Sequence, residues 1–119
     1  IESDQSIPVY GDGTMSRDFT YIDDIINGVV ASMERCSGYH IYNLGESRPI
    51  NVSGLIAEIE KALGKKAVVQ RLPMQPGDVP ATYADIGDLA RDVGFRPQTS
   101  IEEGVARFVE WYREYYSAG

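Results

Sequence analysis

The chain has 119 residues, 43% of them hydrophobic and 24% charged, with a net charge of −7. This describes one folded domain rather than a disordered segment, and the acidic balance argues against nucleic acid or an anionic membrane surface as the main partner. The single cysteine, Cys36, excludes an internal disulfide framework and a cysteine zinc site; it suits a reducing, cytoplasmic setting, and no run approaches the ~20 apolar residues of a membrane span.

Ile1 to Asp4 reads as the middle of something longer. Ile7–Tyr10 is a short apolar run that ends in the turn Gly11-Asp12-Gly13. Arg17–Ile22 is rich in β-formers and predicts a second strand, so that the two runs form a hairpin or a pair of short edge strands. Asp23 or Asp24 then caps a helix whose apolar stripe is Ile25, Ile26, Val29, Val30 and Met33, with Gly38 as its stop. His40–Leu44 predicts a strand. A second helix starts at Pro49–Asn51, carries Val52, Leu55, Ile56, Ile59 and Leu63 on one face, and ends at Gly64. Lys66–Leu72 is a strand, and Pro73–Pro80, with three prolines and a glycine, is a loop. Asp85 caps a short helix that runs through Val93 and stops at Gly94 and Pro97. Ser100-x-x-Glu103 fits a capping box, opening a last helix with Ile101, Val105, Phe108, Tyr112 and Tyr115 on one face. The expected class is α/β, closer to a small α+β lobe, with short strands and about four helices. The strands are too few for a doubly wound nucleotide domain.

Gly11-x-Gly13-x-x-Ser16 falls one glycine short of the dinucleotide fingerprint. Its context is also wrong, because a strand rather than a helix N-terminus follows, and the glycines read as a turn. Arg17 is the only Lys or Arg in the first 34 residues, which carry seven acids. On a strand it shares a face with Phe19 and Tyr21, while Asp18 and Thr20 face the other way. A lone arginine beside aromatic rings suits a bidentate grip on phosphate or carboxylate; the alternative is a salt bridge to a neighbouring acid.

Pro76 and Pro80 stiffen a loop that can hold Gln75 and Asp78 outward. An amide and a carboxylate so placed suit a pair of sugar hydroxyls, or Asp78 simply accepts from its own turn. His40 stands alone, without the further ligands a metal needs. Cys36 is structural, Asn51 is a helix cap rather than a glycosylation site, and the Phe108–Tyr116 aromatics are packing residues.

The stretches GDGTMSRDFTYIDDIINGV, YNLGES, MQPGDVPATYAD and GFRPQTSIEEGVARFVEWYREYY, in this order, together resemble the carboxy-terminal part of NAD-dependent nucleotide-sugar epimerases and dehydratases. These are extended short-chain dehydrogenase/reductase enzymes, and UDP-glucuronate 4-epimerases are the nearest in look. The resemblance spans about residues 7–116. It implies a smaller lobe that binds the nucleotide sugar, beside a Rossmann domain that binds NAD. By the same resemblance Arg17 contacts the diphosphate and Asp78 the ribose hydroxyls. Gln75 occupies a position where UDP-galactose epimerases tend to have a phosphate-binding arginine. Asp23 and Asp24 match a V-D-D pattern, read as capping.

The family reacts by transient hydride transfer from sugar C4 to NAD, with a Tyr-x-x-x-Lys pair as acid and base. None of the eight tyrosines here is followed four residues later by lysine. The expectation is therefore a single nucleotide-sugar-binding lobe over 1–119, without catalytic, NAD-binding or metal-binding residues and inactive alone. It would bind a UDP-sugar weakly and self-associate through a face left bare or by swapping its terminal segments. The other readings are a free-standing interaction module, a folded gene remnant, or the same lobe from a decarboxylase or 4,6-dehydratase.

Overall fold

A computed structural model describes residues 1–117 as a mixed α/β fold with four helices and two small sheets. Strand β1 (Ile7–Tyr10) pairs in parallel with β4 (Val69–Leu72), Ile7 opposite Val69 and Tyr10 opposite Leu72. Strand β2 (Ser16–Arg17) pairs antiparallel with β3 (Ile50–Asn51). Helices α1 (Ile22–Arg35), α2 (Val52–Leu63), α3 (Gly87–Val93) and α4 (Ile101–Ser117) complete it. Of the two expected arrangements the pair of short edge strands is found and the hairpin is not: Gly11–Gly13 carries the chain from one sheet into the other. The second strand also stops at Arg17 instead of running to Ile22, because the Asp18 side chain, rather than a ladder, engages the surrounding backbone.

The helix boundaries follow local chemistry. The Asn51 side chain accepts from Gly54 N at 2.6 Å, and Gly64 closes α2 in the left-handed conformation. Asp85 Oδ1 accepts from Gly87 N, and Gly94 closes α3. Ser100 Oγ accepts from Glu103 N, which is half of the predicted capping box; the Glu103 carboxylate instead pairs with Arg107. His40–Leu44 is not a strand, since it has no ladder partner among the described residues. Its burial still alternates: Tyr39 and Ile41 are exposed, while Tyr42 and Leu44 pack inward.

Leu89, Val93 and Phe95 form the centre of the core, and Ala31, Cys36, Tyr42, Leu44 and Ile86 pack against it. Val105 and Val109 of α4 are buried where that helix lies on α2. α1 meets the core with its small residues. A Cβ on Gly28 would stand 2.5 Å from Leu44 Cδ1 and 3.1 Å from the Phe95 ring. Most of the predicted stripe of α1 is therefore its outer side, with Ile26, Val29, Val30 and Met33 exposed and only Ile25 half-buried. The molecule is a slab of 49 × 39 × 20 Å with a radius of gyration of 16.9 Å. A compact chain of this length has a radius of about 13.5 Å.

Asp24 does not cap α1. Tyr21 is the N-cap and supplies no side-chain bond. The Asp24 carboxylate lies buried, and it accepts from Gln98 N at 3.2 Å and Thr99 N at 2.9 Å, tying the start of α4 to α1. Asp23 stays outside, 3.7 Å from Arg107. Buried Glu46 faces Asp24. Burial first, then the hydrogen bond and charge of Asp24 and the charge of Asp18, push its carboxyl up to about 7, with Arg48 opposing. Burial also disfavours the Asp24 carboxylate, but the Glu46 hydroxyl and the two amides outweigh it and hold Asp24 below its ordinary range. The two carboxyls thus share one proton.

Two tests follow from this packing. Gly28→Ala should destabilise the fold by about 1–3 kcal/mol, because Leu44 and Phe95 cannot both retreat; an unchanged urea midpoint would contradict the contact. Glu46 holds its proton more tightly folded than unfolded. Its contribution is complete below its ordinary 4.5 and is lost as pH rises toward about 7. The stability of the wild type relative to Glu46→Gln should therefore fall across that window and level off above it. Asp24 works the other way, contributing above its ordinary 3.8 and losing it as pH falls further. Parallel unfolding curves from about pH 5 to about pH 8 would refute the shared proton.

Candidate functional site

Arg17 ends β2, half-buried, and makes no salt bridge among the described residues. Its Nη1 donates to two carbonyls, Ser16 O at 2.8 Å and Val79 O at 3.0 Å. Both bonds use one nitrogen, so Nε and Nη2 have no partner among the described residues. A guanidinium held by one corner with its remaining donors free is prepared for a bidentate anion.

The loop that receives Arg17 is the proline-rich one. Asp78 N donates to Gln75 O at 3.2 Å, and Gly77 turns the chain at φ 89°, a left-handed conformation that favours glycine. Ser16 N donates to Pro80 O at 2.9 Å and Thr82 N to Ser16 O at 3.1 Å, docking the loop beside β2. Arg17 thus meets the loop at Val79, next to Asp78, and the side chains of Gln75 and Asp78 are exposed. A cavity of about 420 Å³ lies alongside, lined by Gly11, Asp12, Thr14, Met15, Met74 and Pro80. Within it the Thr14 hydroxyl and amide both donate to Asp12 Oδ1 and hold that carboxylate below its usual range.

Phe19 and Tyr21 do not flank Arg17 as one strand face would demand. They turn instead toward an apolar cavity of about 370 Å³ between α2 and α4, with Leu55, Ile59, Val105 and Phe108. The turn at Gly11–Gly13 does not suit a dinucleotide. It leads into β2 rather than a helix, and Ser53 Oγ and Arg71 Nη1 fill the space against Gly13 where a pyrophosphate would approach. His40 Nε2 bonds Ser37 O, and the described residues hold no metal-ligating cluster.

The sequence profile of the family described as GDP-mannose 4,6 dehydratase matches residues 1–108. The chain belongs to this family of nucleotide-sugar enzymes. It is 40% identical to Protein CapI of Staphylococcus aureus, over 98% of this chain and 40% of that protein. It is 43% identical to the UDP-glucuronate 4-epimerase of Thermodesulfobacterium geofontis, over 96% of this chain and 35% of the relative. The fold matches the UDP-glucuronic acid 4-epimerase of Bacillus cereus, solved with UDP-glucuronic acid and NAD, at a TM-score of 0.87 and 32% identity; the match covers 96% of this chain and 37% of that one. This family member therefore spans well under half the length of these relatives. The extended short-chain dehydrogenase/reductase reading and the α/β class stand. No helix among the described residues is long and apolar enough to cross a membrane.

The structural roles of two acids escape the sequence. Asp18 accepts from the backbone of two distant segments. Glu46 lies inside YNLGES, where nothing in the spacing marks it as buried.

Proposed function

We propose that the chain is the nucleotide-sugar lobe of a UDP-glucuronate-type 4-epimerase, with NAD and the reacting pair supplied by a domain outside residues 1–119. The observation that carries this reading is Arg17 held by Val79 O with its outer donors free, next to exposed Asp78. In this role Arg17 takes the diphosphate, Asp78 the ribose hydroxyls, and Gln75 offers a neutral amide where a second cation would otherwise stand. The chain's own residues bind and orient the ligand. They include no Tyr-x-x-x-Lys pair and no turn fit for a dinucleotide, so the lobe alone is inactive.

UDP should bind the chain weakly and shift the amide signals of Arg17 and Asp78, and Arg17→Ala should weaken it about tenfold or more, the worth of one lost charge-assisted contact. Titration without a shift at either position would remove the claim.

The outer face of α1 supports the domain reading. Ile22, Ile26, Val29, Val30 and Met33 are 44–79% exposed, and exposed Tyr39 and Ile41 carry on the apolar surface. A contiguous patch of this kind promotes association. In isolation the chain should self-associate through this face, and Val29→Glu with Met33→Glu should restore the monomer. A wild type that sediments as a monomer at every concentration would contradict this.

A further inference from the structure

We propose that Asp18 is the positioning residue of the nucleotide site: it sets the distance between Arg17 and the loop that carries Gln75 and Asp78. The inference rests on the reading of that site given above. Asp18 Oδ2 accepts from Ser47 N and from Ala84 N, each at 3.0 Å. Ala84 closes the proline-rich loop, so Arg17 meets that loop at Val79 on one side of the site, and its neighbour Asp18 meets it again five residues on. Ser16 contributes the bonds to Pro80 and Thr82 between them. Three consecutive residues, the two of β2 and the one that follows it, thus fasten the loop from 79 to 84.

The closeness of the junction shows that the carboxylate is an organising element. A Cβ on Gly45 would stand 2.6 Å from Asp18 Oδ2 and 2.8 Å from Ala84 Cβ, so only glycine lets the three segments meet. Ser47, one of the two donors, adopts φ 58°, a left-handed conformation costly for a non-glycine residue and held here by the bond to Asp18. The other oxygen, Oδ1, is buried and has no partner in the described structure. Its desolvation is tolerated because Oδ2 satisfies two half-buried amides that would otherwise lose their acceptor.

Charge is not the reason for an aspartate here. A carboxylate beside Arg17 opposes an anionic ligand. The carbonyl oxygen is what the two amides require, and Asn supplies one of the same size and reach.

The experiment titrates UDP into the 119-residue chain as wild type, Asp18→Asn, Asp18→Ala and Asp18→Glu, and follows amide exchange without ligand. Asp18→Asn should bind within about threefold of the wild type. Asp18→Ala, and Asp18→Glu with its acceptor displaced by a methylene, should bind about tenfold or more weakly, the expected cost of orphaned amides. Exchange at Ser47, Asp78 and Ala84 should quicken in both. Should Asp18→Ala not fold, Asp18→Glu carries the comparison. Wild-type affinity in Asp18→Glu, or equal loss in Asp18→Asn, overturns the proposal. If the wild type itself binds no UDP, the reading of the site fails. The clamp is then judged by exchange alone, and an unchanged Asp78 amide in Asp18→Glu overturns it.

Discussion

The fold depends on backbone amides that no sheet or helix satisfies. Its two sheets have two strands each, and few side chains are fully buried. Long irregular segments link the elements, and their N–H groups need acceptors. Two aspartates six positions apart provide them. Asp18 takes the amides of Ser47 and Ala84, and Asp24 those of Gln98 and Thr99. From one short stretch at the start of α1, these carboxylates gather three remote parts of the chain. At Asp24 the acceptor is a carboxylate held below its ordinary range, and a charged acceptor is stronger than a neutral one.

The same junctions explain the shape. The core around Leu89, Val93 and Phe95 lies on the inner side of α1, where Gly28 permits close approach. The larger apolar residues of that helix face outward, with nothing described here upon them. An exposed apolar helix face on so thin a slab suits the proposal that the chain is one lobe of a larger unit. Arg17 and the proline-rich loop meet at Val79 O. The chain covers well under half of the epimerases it resembles.

Much was legible from local rules. The two short runs that became β1 and β4, the cap at Asn51, the stops at Gly64 and Gly94 and the Ser100 cap all follow from residue type and spacing. The juxtaposition of Arg17 with the Gln75–Asp78 loop was accessible only through resemblance, since 62 positions separate Arg17 from Val79. The expected hairpin failed because β-propensity does not name a partner, and both β1 and β2 found theirs far along the chain. The strand expected at His40–Leu44 has the alternation of a strand but no neighbour among the described residues to pair with.

The sequence by itself determined where the chain can turn and which stretches are helical, because these depend on neighbours a few residues away. Tertiary structure alone decided which face of α1 is inner. The apolar stripe predicted the opposite side, and the close contact of Gly28 with Leu44 and Phe95 prevailed. It also decided that Asp18 and Asp24 are clamps rather than a strand-face acid and a cap. A carboxylate's role is set by which amides reach it, and those here lie between 29 and 75 residues away.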